Sequence, residues 1–209
     1  MRADRSCAAG GLDAEAARRM AEALVRRHAA APLAPEAVPD AAGYRRDLAR
    51  DLEVLAPWAV RLAEGHLARL EAAQERFLEA QADRLLARAG DACILARALP
   101  LTLADVWLPA AGAARIEPVG QGAEAAAEPD DVAAELAGLS VELRRAGRAG
   151  PAERLISHYA GEADDFDLYG VIDFQERRCA LRRAAALLAP ASRAAAGSEA
   201  PAGSASAGR

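Results

Sequence analysis

Side chains able to act as nucleophiles, soft metal ligands or proton shuttles are few in this chain and far apart. Cys7, Cys93 and Cys179 are odd in number and widely separated, which suits neither a disulfide framework nor a zinc site with its closely spaced ligands. They are expected to be free thiols in a reducing compartment. His28, His66 and His158 are equally dispersed, and a lone histidine on a helix is more often a packing or surface group than a ligand. No glycine-rich phosphate loop, nucleophile elbow, CxxC pair or HExxH helix occurs, so the enzyme classes built on those motifs have no foothold.

The elements available to position any chemistry are mostly helices. Of 209 residues, 53% are hydrophobic, much of that alanine, and only 4% are aromatic; the core is therefore expected to be helical and close-packed, in one domain. Asp13 can cap a first helix to about Ala30, with Ala17, Met20, Leu24 and His28 on one face. The segment PLAPEAVPDAAG cannot sustain a helix and reads as a connecting loop. A stripe of Tyr44, Leu48, Leu52 and Leu55 and another of Leu62, Leu67, Leu70, Phe77 and Leu85 predict two helices meeting near Pro57. Around Gly90 the pattern changes: 92–95, 99–103, 105–108 and 114–119 read as short strands and loops, and 120–130 as a mobile loop. Val132, Leu136, Leu139 and Leu143 mark a helix stopping near Gly147, Pro151 opens another, and a last helix is expected over 167–188. Residues 1–11 and the Ala/Ser/Gly-rich stretch 190–209 are expected to be disordered.

Within this frame two segments stand out: Ala98 to Leu108, ALPLTLADVWL, followed by the strand-like IEPV from Ile116, and Asp131 to Arg148, DVAAELAGLSVELRRAGR. Small-molecule kinases of the aminoglycoside phosphotransferase type carry a loop close to HGDLHLxNVxL, a strand ending in DPxEF, and a helix close to DVAAELAFLxMELRRRGR. The chain resembles the C-terminal lobe of that family from about Leu12 to Ala189. The fold implied is α+β, predominantly helical, with a kinase-like C-lobe around a small central β-hairpin.

What the resemblance implies for the site follows position by position. In the family a histidine and an aspartate open the catalytic loop, and an asparagine and a second aspartate hold magnesium against nucleotide phosphates. Here the histidine position is Ala98, the catalytic aspartate Pro100, the asparagine Asp105 and the second aspartate Glu117. Ala98 and Pro100 can neither orient a hydroxyl nor accept its proton. Asp105 and Glu117 keep the oxygen-donor character magnesium prefers, and they are the metal-site candidates. Gly120, Gln121 and Gly122 stand where the family's acidic and aromatic pair would follow. Residues 1–11 leave no room for the family's N-lobe, so the nucleotide cleft is expected to have one wall.

The resulting expectation is a degenerate, catalytically inactive pseudo-kinase or C-lobe remnant, acting by binding a protein partner or small molecule at the half-cleft, without a cofactor. One alternative is an active phosphotransferase using magnesium and ATP, completed by an N-lobe encoded elsewhere. Another is a helical structural or interaction protein, for which 90–119 would be continuous helix. A net charge of -5, with arginines interspersed among acids on apparently solvated helix faces, argues against nucleic-acid binding. No apolar run approaches a membrane span and no signal peptide is visible at the N-terminus, so a cytoplasmic protein is expected.

Overall fold

The computed structural model describes residues 12–37, 40–91, 93–118 and 128–198. Helix α1 (Ala14–Ala30) begins where the Asp13 carboxylate accepts the Ala16 N–H at 2.9 Å, satisfying one of the donors a helix start leaves open. Its buried face contains Ala17, Met20, Leu24 and His28, as their spacing predicts. Helix α2 (Ala41–Leu55) is capped in the same way by Asp40 on the Gly43 N–H. A 3-10 turn, Ala56–Arg61, carries Pro57 near its start, where the missing proline donor leaves no intrahelical bond unmade. Gly65, at φ +66°, then admits the chain to α3 (His66–Gly90), which kinks at Gln81. No helix among the described residues is long and apolar enough to cross a membrane.

The proline-bearing segment after α1 does more than connect. Leu33 bridges antiparallel to Leu95, the Ala34 N–H donates to the Ile94 carbonyl at 3.0 Å, and the Ala96 N–H donates to the Pro32 carbonyl at 2.9 Å. Between α1 and α2 the described residues hold one 3-10 turn, Pro35–Ala37, and no α-helix; proline keeps its acceptor, so the residues beside it can still edge a strand.

That strand is β1 (Ile94–Ala98), and its other partner is β4 (Glu128–Asp131), antiparallel, with Ile94 opposite Asp131 and Leu95 opposite Asp130. The expected mobile loop is therefore corrected at 128–130, where backbone pairing to a distant strand holds the chain extended; 119–127 lies outside the described residues. Of the other expected short strands, 99–103 is a turn, and 105–108 and 114–119 contribute β2 (Val106–Trp107) and β3 (Arg115–Ile116), an antiparallel hairpin with Val106 opposite Ile116. A 3-10 turn, Leu103–Asp105, precedes it. Arg19 and Arg26 of α1 hold the hairpin's connecting stretch by donating to the Pro109 and Ala114 carbonyls at 2.7 and 3.0 Å.

Helix α4 (Val132–Arg145) starts on its cap Asp131 and gives way to Gly147 at φ +74°, a conformation glycine adopts without steric cost. Helix α5 (Ala149–Ala163) has Pro151 in its first turn and packs along α1 and α4. The final helix starts later than expected, after a 3-10 turn at Phe166–Gly170, and α6 (Ile172–Ser198) runs through Pro190. The disorder expected over 190–209 is thus replaced by helix over 190–198. Alanine-rich sequence around the proline keeps helix propensity high enough to continue. Residues 1–11 and 199–209 lie outside the described residues.

One hydrophobic cluster joins α1, α3, β1, the hairpin, α4, α5 and the start of α6. A smaller one fastens α2 to α6 through Leu48, Leu55, Leu181 and Ala185. Between them Phe174 stacks on Phe77 at 4.4 Å and meets Tyr44 edge-on at 5.3 Å. The architecture is α+β and predominantly helical.

Gly138 marks the tightest approach in this frame. A Cβ there would lie 2.7 Å from the Leu101 carbonyl oxygen, so α4 can pack against the 99–103 turn only without a side chain at this position. Gly138→Ala is expected to cost about 1–3 kcal/mol through overpacking, despite alanine's better helix propensity. Equilibrium urea denaturation checks this; a variant more stable than the parent would show that the turn yields freely.

Candidate functional site

The turn leaving β1 is held by three charged side chains, of which Glu135 is fully buried. The Leu99 N–H donates to Glu135 Oε1 at 2.7 Å, Arg183 Nη2 donates to the Leu101 carbonyl, and the Leu103 N–H donates to Glu142 Oε2 at 3.2 Å. Pro100 lies between these anchors and is exposed, while Ala98 is 8% exposed. The two positions at which the resemblance would place a histidine and a catalytic aspartate therefore present a methyl group and a pyrrolidine ring on a firmly positioned turn.

Asp105 and Glu117 are brought together through their backbones, the Glu117 N–H donating to the Asp105 carbonyl at 2.7 Å. Their carboxylates have other employment. Asp105 is 6% exposed, and its Oδ2 accepts both the Thr102 N–H at 2.7 Å and the Thr102 hydroxyl at 2.8 Å, closing the capping box of the 3-10 turn. Glu117 lies 3.3 Å from the Arg115 guanidinium, a neighbour that opposes a dication. Among the described residues no group of three or more His, Cys, Asp or Glu side chains is placed to hold a metal. The pair as arranged does not fit a magnesium-ligating set.

Glu135 is the hub of the buried polar structure. Fully buried on α4, it receives Arg27 Nε at 2.9 Å and Arg27 Nη2 at 3.0 Å, and it lies 3.1 Å from His28 Nε2; His28 Nδ1 in turn is 2.7 Å from the Tyr159 hydroxyl. Burial pushes its carboxyl up, but His28 and Arg27 outweigh that and hold it below the ordinary value. The network joins α1, α4 and α5 to the backbone immediately before Pro100.

A second cluster surrounds a cleft of about 380 Å³ bordered by Ala98, Leu99 and Pro100, by Gly138 on α4, and by successive turns of α6 bearing Gln175, Arg178, Cys179, Arg182 and Arg183. Arg178 Nη1 donates to Asp130 Oδ2 at 2.7 Å and to Gln175 Oε1 at 3.0 Å, and its guanidinium lies 4.8 Å from the centre of the Tyr44 ring. The Cys179 thiol is raised by burial, and burial pushes Cys93 up to about 12. Neither is a thiolate nucleophile near neutrality. Both are free thiols, and Cys7 lies outside the described residues.

The expectation that the arginines simply decorate solvated faces is corrected by Arg88 and Arg178, which are 1% and 9% exposed. Carboxylates from distant elements make that burial feasible: Asp131 and Asp165 for Arg88, Asp130 for Arg178. A sequence signal for Glu135 did exist. It follows Val132 by one helical turn and precedes Leu136, so a charged residue sits within the apolar stripe of α4, where an acid is retained only with partners. His28 sat on the apolar face of α1, and its burial agrees with a packing role.

No family model matches the chain, and neither does any curated protein or solved structure.

Proposed function

We propose that this chain is a degenerate relative of the C-terminal lobe of the aminoglycoside phosphotransferase-type kinases, inactive in phosphoryl transfer and acting by holding a ligand in the cleft beside Pro100. The observation carrying this reading is that the cleft is bordered by Ala98, Leu99 and Pro100, whose side chains offer no proton acceptor at the place where the resembled family keeps its base. Also in support, 93–118 is built from strands and turns rather than the continuous helix a plain bundle would have. The turn is rigidly tied to Glu135 and Arg183, so the cleft wall is organised before a ligand arrives, which lowers the cost of binding.

The purified chain, supplied with magnesium, ATP and a panel of aminoglycoside and simple hydroxyl acceptors, is expected to transfer no phosphate above a denatured control. Transfer that is lost on Asp105→Ala would overturn the reading and establish a working phosphotransferase instead.

A further inference from the structure

We infer that this chain pairs with a second copy of itself about a two-fold axis, Val60 of each copy entering an apolar groove between α2 and the start of α3 of the other. The inference goes beyond the ligand-holding role of the cleft beside Pro100 and does not depend on it.

The connection from α2 to α3 carries more apolar surface than a solvated turn needs. Residues 56–63 read APWAVRLA, with Arg61 as the one charge. Trp58 is half-buried and every other residue of the stretch is exposed, Val60 at 90% and Leu62 at 42%. Apolar residues exposed singly are ordinary, but a contiguous run marks a contact surface. Beside the run is a groove of about 590 Å³, lined by Leu52 on α2, by Ala56, Ala59 and Ala63 on the connection, and by Leu67 on α3. Alanine methyls leave it open where larger side chains would close it.

The occupant follows from self-complementarity. A two-fold interface uses one patch twice, so the patch must carry both a projection and the recess that receives it. Both are built here on the same eight residues: Val60 projects while its neighbour Ala59 lines the recess. Charge matches in the same register. Glu53 and Glu71, both exposed, stand on the groove lining, and neither carboxylate makes an ion pair or hydrogen bond among the described residues. Arg61, next to Val60, is exposed; its guanidinium lies 5.3 Å from the centre of the Trp58 ring and meets no carboxylate among the described residues. Seating Val60 in the groove of a second copy brings Arg61 to those two glutamates, and the symmetry makes the match twice. A lipid surface would receive Val60 but set Glu53 and Glu71 against anionic headgroups, an opposition that the second copy turns into pairing.

Sedimentation equilibrium of the full chain at roughly 1–100 μM is expected to show monomer and dimer in exchange. Val60→Asp and Arg61→Glu should each weaken the dimer about tenfold or more, while leaving the far-ultraviolet circular dichroism of the parent, since both positions are exposed. Adding Glu53→Arg and Glu71→Arg to Arg61→Glu reverses the charges on both sides and should recover part of the association, which damage to the fold would not do. A chain that stays monomeric throughout overturns the inference, and co-sedimentation of that monomer with phosphatidylglycerol vesicles would assign the surface to a membrane instead. A dimer untouched by both single variants overturns it by placing the interface elsewhere, as does loss in Arg61→Glu with no recovery in the triple variant.

Discussion

Replacing Arg88 by methionine is expected to destabilise the chain by about 3–5 kcal/mol, the loss typical when one partner of a buried ion pair is removed. Arg88 is 1% exposed and donates to both Asp131 oxygens, at 2.5 and 2.9 Å, and to both Asp165 oxygens, at 2.7 and 2.9 Å. It fastens the end of α3 to the junction of β4 and α4 and to the turn before α6. Burial pushes the Asp131 carboxyl up, and Arg88 and the Ala133 N–H pull against that rise. Without Arg88 the Asp131 carboxyl would rise further. The penalty should then be largest near neutrality and shrink as acid protonates Asp131 through its raised folded-state pKa, because only the ionised form is uncompensated. Parallel denaturation curves at neutral and acid pH check this. Asp131→Asn added to Arg88→Met should recover part of the loss, since asparagine remains a good helix cap. A single variant as stable as the parent at neutral pH would show that the pair holds nothing together.

Glu135→Leu is the second large expected effect, about 2–4 kcal/mol, because it strips a buried histidine and the Leu99 N–H of their common acceptor while Arg27, partly exposed, can return to water. Glu135 has a folded-state pKa held below its ordinary 4.5. A depressed acid contributes stability that is complete above its unfolded pKa and is lost as pH falls through the folded value. The gap in melting temperature between parent and variant is therefore expected to be constant toward neutrality and to close as the pH falls below about 4.5. A gap that widened in acid would mean that Glu135 is not the ionised hub. The same variant leaves the Leu99 N–H, just before Pro100, without its acceptor.

The two effects share a cause. One acid, Asp131, ends β4 and caps α4, the other, Glu135, lies on α4 itself, and each is buried only because several elements converge on it. The cleft follows the same logic. Its arginines, Arg178, Arg182 and Arg183, share successive turns of α6, yet their roles differ: Arg178 neutralises Asp130, Arg183 holds the Leu101 carbonyl and pairs with Glu142 at 2.9 Å, and Arg182 faces Asp47. Helical spacing puts them near one another, but only α2, β4 and α4 decide which carboxylate each guanidinium meets.

Sequence alone determined what depends on near neighbours: Asp13 as a cap, the break near Pro57, the stop at Gly147, the start beside Pro151, the apolar faces of α1 and α4, and side chains at positions 98 and 100 that cannot accept a proton. Those features follow from backbone sterics, helical periodicity and side-chain chemistry, all of which act over a few residues. Tertiary structure decided the pairing of β1 with β4 and with Leu33 and the burial of Arg88, Arg178 and Glu135. Strand partners far apart in the chain carry no local mark, and a charge becomes buried only when opposite charges arrive from other elements to offset its desolvation. The continuation of α6 through Pro190 is by contrast local in cause, one weak position outvoted by the helical preference of the residues around it.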